Sequence, residues 1–260
     1  MPWEAWYFGR GGKPGQPSPF KWTFHFSFGG AQFAGSYISA WNQIPTNKKV
    51  GAMFPNDADG NAVRAFLPDA LRQAGFTVVD PGPFEDGTTD YSTQITIFKK
   101  EQCEIISALV LPPDFATFWR QAAQQGLTKI VKIAQPAKAG GSPTEINALG
   151  PIGVNLCVAA LKSTTDPLDK AALAKSISTL KTITTVGEID FNSGPMPHVI
   201  ATTRFVGTQY QKTKPGSKFN VEQLVIENSE DPNVPIGGKL IPYNTGGVNT
   251  GRESGKLGTE

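Results

Sequence analysis

The stretch KKVGAMFPNDADGNAVRAFLPDALRQAGFTVVDPG, residues 48–82, decides the fold. It opens on an apolar run, 48–54, that reads as a buried strand. An amphipathic segment follows at 60–75, with apolar residues at helical spacing and a stop at Gly75, and a second apolar run closes the stretch at 76–82. One strand, helix, strand unit results. Working outward, the pattern recurs: 89–102 reads as a helix capped by Thr89 or Asp90, 103–111 as a strand, 114–126 as a helix closed by Gly126, and 129–134 as a strand. Short helical crossovers predict parallel strands with right-handed connections. The expected class is therefore α/β, a flavodoxin-like parallel sheet with helices on both faces. Pro68 lies inside the first helix, where it predicts a kink or a first turn.

The flanks are less regular. Residues 11–19 form a glycine and proline linker, and FKWTFHFSFGG (20–30) alternates like a strand. Residues 150–163 and 168–180 read as helices, and 187–192, 198–207 and 221–228 as short strands. The expected organisation is an α/β segment over 1–139, helices and strands over 140–245 packing on it, and a disordered tail at 246–260.

Composition excludes several function classes. The 260 residues are 39% hydrophobic, enough for a sizeable core, and a net charge of +2 arises from 24 basic and 22 acidic residues that are scattered along the chain. No basic stripe points to nucleic acid. No run reaches the roughly 18 to 20 apolar residues of a membrane helix. The first residues lack the basic start and apolar middle of a signal peptide, so the chain as written carries no export address and is expected to stay cytoplasmic if expressed that way. Cys103 and Cys157 both sit in apolar surroundings and read as small buried thiols, with nothing local to pair them. Trp3, Trp6, Trp22, Trp41 and Trp119 read as core or helix-face packing.

In open parallel sheets, ligands bind beyond the carboxyl ends of the strands. The loops so placed are 55–60, 81–90 and 112–115. Asn56, Asp57 and Asp59 precede a helix, which leaves two readings open. They cap the helix and its turn, or their carboxylates, with the helix-terminal amides, hold the polar head of a small solute. Catalytic machinery is thin. His25 and His198 are the only histidines, no HExxH or CxxC pattern occurs, and the glycine runs lack the context of a phosphate cradle. No catalytic residue, metal ligand or cofactor is assigned, and the chain is not expected to be an enzyme.

The runs at 48–95 and 109–126 resemble the second lobe of the type I periplasmic solute-binding proteins of ABC transporters, in the branch of the branched-chain amino acid receptors. The likeness extends back through PWEAWYFGR and PFKWTFHFSFGG and forward through 148–177, TVGEIDFNSGPMPHVIATTRFVGTQY and NVPIGGKLIP. Against that pattern, a signal peptide, a first lobe and a central stretch after KIVKIA are missing, so the chain reads as a truncated member. The resemblance implies a periplasmic protein that binds a small amino acid, amide or aromatic acid and delivers it to an ABC permease. It also implies a ligand wall of Asn56, Asp57, Asp59, Pro112, Asp114 and Phe115, with Phe28 as an apolar contact. The exposed cleft face would favour self-association. The alternative is a truncated remnant or interaction module that binds no small molecule.

Overall fold

The computed structural model describes residues 4–8, 10–13, 15–16, 19–136, 143–184 and 186–243. In chain order the elements are α1 (Glu4–Phe8), β1 (His25–Ser27), α2 (Gly30–Trp41), β2 (Lys49–Met53), α3 (Ala58–Gln73), β3 (Thr77–Val79), α4 (Ser92–Lys100) and β4 (Ile105–Ala108). There follow α5 (Pro112–Gln124), β5 (Ile133–Pro136), α6 (Pro143–Ser163), α7 (Lys170–Ser178), β6 (Lys181–Thr184), β7 (Gly187–Asp190), β8 (Ile200–Thr202), β9 (Gly207–Lys212) and β10 (Val221–Glu227). They fall into two compact units, Met1–Phe33 with Ala139–Phe205, and Ala34–Lys138 with Val206–Glu260. The sequence reading divides the chain near 139; the structure adds breaks after Phe33 and Phe205. The expected tail at 246–260 and Trp3 lie outside the described residues.

The second unit holds the parallel sheet, in the order β3-β2-β4-β5. Val50 pairs with Ile105 and Met53 with Ala108, while β5 joins β4 through Ile105 and Ile133. All four residues of β4 are buried, as in a strand covered on both faces. Pleating divides the side chains. Met53, Ile106 and Ala108 join Tyr91, Ile95 and Phe98 from the α4 side and Phe118 and Ala122 of α5 in one apolar cluster. Gly51 belongs to that face too: a Cβ there would come within 2.8 Å of Phe98 and 2.9 Å of Ile106. On the opposite face Val50, Ala52 and Ile105 are equally buried, as are Val63, Leu67 and Leu71 of α3. Pro68 sits in the interior of α3, not in its first turn, and is itself buried.

Two departures from the sequence reading have a physical reason. The expected strand at 129–134 becomes a short 3-10 turn, Leu127–Lys129, and the strand starts only at Ile133. Gly126 ends α5 in the left-handed region (φ 80°), and the chain then buries Leu127 and Val131 in the apolar cluster before it reaches the edge of β4. The second change is α2, which the sequence pattern does not signal because Gly30, Gly35 and Ser36 weaken its helix propensity. Its available trace was the spacing of Phe33, Tyr37 and Trp41, all buried. Trp41 packs edge-on against Phe76, with ring centres 5.7 Å apart, and donates its indole N–H to Gln135 Oε1 at 2.5 Å.

The second unit also carries the antiparallel ribbon of β9 and β10, in which Tyr210 pairs with Gln223. In the first unit β1 runs parallel to β8, with His25 opposite Ile200, and β6 and β7 form a hairpin. Its core gathers Ile152 and Leu156 of α6 with Leu180, Ile189, Phe191 and Ala201.

Two expectations are corrected here. Trp22 is 62% exposed, not packed. The cysteines differ as well: both are free, but Cys103 is buried and Cys157 exposed, because α6 buries Ile152, Leu156 and Ala160 and turns residue 157 to solvent. Burial pushes the Cys103 thiol up to about 12. At about pH 8 a thiol reagent is expected to modify Cys157 on the native chain and Cys103 only after denaturation. Mass spectrometry checks this by one adduct before unfolding and two after; two native adducts would overturn it.

Candidate functional site

The sheet order places a topological switch point between β2 and β4, since β2 is followed by β3 on one side while β4 and β5 lie on the other. The loops leaving these strands are held together by backbone and side-chain hydrogen bonds. Leu109 N–H donates to Met53 O at 3.0 Å, and Asn56 N–H donates to Phe84 O at 2.7 Å. The Asn56 side chain donates to Glu85 Oε1 at 3.0 Å. Gly87 N–H then donates to both oxygens of Asp114, at 3.2 and 3.1 Å. Gly87 lies at φ 80°, a conformation that glycine takes without a Cβ penalty. Three loops therefore form one hydrogen-bonded ring at the carboxyl edge of the sheet.

Within that ring the candidate residues have different tasks. Asp57 is the N-cap of α3, and its carboxylate accepts from Gly60 N–H at 2.7 Å. The cap explains why α3 begins at Ala58, two residues before the expected start. Gly60 is required there, because a Cβ would lie 2.2 Å from Pro55 O. Asp114 is 5% exposed and holds the loop at Gly87. Asp59, half-buried in the first turn of α3, makes no hydrogen bond or ion pair among the described residues. Of these carboxylates, Asp59 is the uncommitted one.

Pro112 opens α5 after Leu111, which supplies no side-chain cap. Neither Pro112 nor Pro113 has an N–H, so this helix start offers few donors to an anion. Phe115 stacks on Trp119 with ring centres 5.6 Å apart and packs against the apolar cluster. Phe28 belongs to the first unit, where its ring lies 4.7 Å from Phe205 and 6.2 Å from Phe33.

Sequence reasoning missed two residues at this edge. Arg64 donates from Nε to Asp80 at 2.7 Å and from Nη2 to Phe54 O at 2.8 Å, which ties the end of β2 to the end of β3. Tyr91 is fully buried, 5.4 Å from Phe84 and 5.8 Å from Phe118 between ring centres. Burial first, and then the negative charges of Asp114 and Asp86, push its phenol up to about 12. Its hydroxyl and Arg64 Nη1 have no hydrogen-bond partner among the described residues. The one sequence signal was an arginine one helical turn past the loop. Among the described residues, no group of three or more His, Cys, Asp or Glu side chains could hold a metal ion.

The family model for periplasmic binding proteins matches residues 5–138. Among solved structures, the chain is similar to an ABC transporter substrate-binding protein from Sphaerobacter thermophilus, at 15% identity over 80% of this chain and 68% of that one, with a TM-score of 0.59. It is also similar to a leucine-, isoleucine-, valine-, threonine- and alanine-binding protein from Brucella ovis in a closed conformation, at 15% identity over 82% and 66%, with a TM-score of 0.58. A third is an ABC transporter solute-binding protein from R. palustris in complex with 4-hydroxybenzoate, at 13% identity over 80% and 68%, with a TM-score of 0.56. At these identities the likeness is one of fold. No curated protein matches the sequence.

Proposed function

The chain belongs to the periplasmic binding protein family, and from that premise we propose that its switch-point wall receives a small solute bearing an ammonium group, such as an amino acid, for delivery to an ABC permease. Members of the family are transport-associated binding proteins of the periplasm, not enzymes. The observation that carries the reading is the uncommitted carboxylate of Asp59, beside two others already occupied by backbone amides. The prolines of α5 withhold amide donors there, and the free Asp59 carboxylate draws a cation by charge. Asn56, Asp57 and Asp114 would shape the wall, Asp59 would meet the charge, and Pro112 and Phe115 would supply apolar contact. The similar Brucella ovis protein is a leucine-, isoleucine-, valine-, threonine- and alanine-binding protein, which supports the same solute class.

Calorimetry with leucine, alanine and N-acetylleucine tests this. The free amino acids are expected to bind with dissociation constants near 1 mM, about 4 kcal/mol of binding free energy, because one wall leaves much of a ligand in water. N-acetylleucine, without the ammonium, is expected to bind at least tenfold more weakly, and Asp59→Ala to remove that preference. Equal binding of leucine to the wild type and Asp59→Ala would overturn the assignment. Silence across the panel would favour an interaction module that binds no solute.

A further inference from the structure

We propose that the first unit carries a second small-molecule site, for an aromatic monoanion, in the groove that Gly15, Gln16 and residues 20–24 form with α7. The groove encloses about 730 Å3, within the range of pockets that take drug-sized molecules. Phe20, Trp22 and Phe24 line it together with Lys21, Lys175 and His198, and no acidic residue contributes to the lining. Three aromatic rings and three basic side chains in one concave surface match a flat ring that carries one negative charge. Trp22 is the unusual member, since an indole left 62% exposed at a groove rim is a contact surface awaiting cover. Neither the Lys21 nor the Lys175 ammonium forms an ion pair among the described residues.

The position of His198 is built. Its backbone lies at φ 70°, a region that non-glycine residues seldom enter. Two hydrogen bonds hold it there: its N–H donates to Phe191 O at 2.7 Å, and ring Nδ1 lies 2.9 Å from Ser178 O. A carbonyl oxygen only accepts, so Nδ1 carries the proton in that bond, and Nε2 is the ring atom left facing a ligand, a donor to a carboxylate when the imidazole is protonated. Strained, pinned side chains of this kind recur at binding sites. None of the residues of this groove belongs to the Asp59 wall, so the two sites stand or fall separately.

The probe is 2-naphthoate, with the neutral 2-naphthamide as its control, titrated into the full chain and followed by tryptophan fluorescence and calorimetry. The wild type is expected to bind the carboxylate at least tenfold more tightly than the amide. Trp22→Ala and Lys175→Glu are each expected to weaken 2-naphthoate about tenfold, with circular dichroism confirming that both variants fold. Asp59→Ala is expected to bind it as the wild type does. Absence of binding, equal affinity for acid and amide, or wild-type affinity in both groove variants would overturn the proposal. Loss of 2-naphthoate binding in Asp59→Ala would overturn it as well, by assigning the ligand to the other wall.

Discussion

Phe118→Ala is expected to lower the stability of the second unit by about 3–5 kcal/mol, the usual cost of removing a buried phenylalanine ring. Phe118 is 0% exposed and stands where α4, α5 and the sheet meet. Its ring centre lies 5.8 Å from Tyr91 and 6.4 Å from Phe98, both in edge-to-face arrangement, so the substitution removes ring contacts as well as apolar area. The cavity would open among stiff aromatic neighbours that cannot collapse into it. Urea denaturation checks the result as a fall in midpoint at unchanged slope. A cost below about 1 kcal/mol would mean that the cluster repacks freely and that its aromatic geometry is unimportant.

Asp114→Ala is expected to act on stability and on the loop ring together. The carboxylate accepts the Gly87 N–H from a position 5% exposed, and its loss leaves that donor without its partner at a cost of about 1–3 kcal/mol. The 81–90 loop would then lose its hold on α5, and the amino-acid affinity proposed for the wall would fall with it. Asp114→Asn keeps an acceptor oxygen and is expected to recover most of the stability. Both variants remove the charge that helps to push Tyr91 upward, so its phenol is expected to ionise at lower pH than the value of about 12 in the parent. Spectrophotometric titration near 295 nm reads that shift. An unchanged Tyr91 titration in both would show that burial and Asp86, not Asp114, govern the phenol.

Residues 48–111 carried their architecture openly. β2 and β4 are buried strands, β3 is the partly exposed edge strand, and α3 shows its own spacing and its stop at Gly75, so β2, α3, β3, α4 and β4 were legible from local pattern. The class of the fold followed, because short helical crossovers leave parallel pairing as the workable geometry. The family resemblance rested on the same residues, and the matched span of 5–138 contains them. What local pattern could not carry was any feature set by residues distant in sequence. The pairing of β1 with β8 joins His25 to Ile200, and it assigns residues 1–33 to the unit of 139–205. The late start of β5 depends on Val131 finding room in a cluster built from α4 and α5.

The candidate wall divides along the same line. Sequence alone placed Asn56, Asp57, Asp59 and Asp114 at the ends of strands, where a ligand has access. Only the tertiary structure decided which carboxylates are free, because that depends on which backbone amides arrive beside them. Gly60 N–H reaches Asp57 and Gly87 N–H reaches Asp114, while Asp59 meets none among the described residues. A carboxylate's chemistry is set by its hydrogen-bond partners, and those partners are supplied by the folded chain.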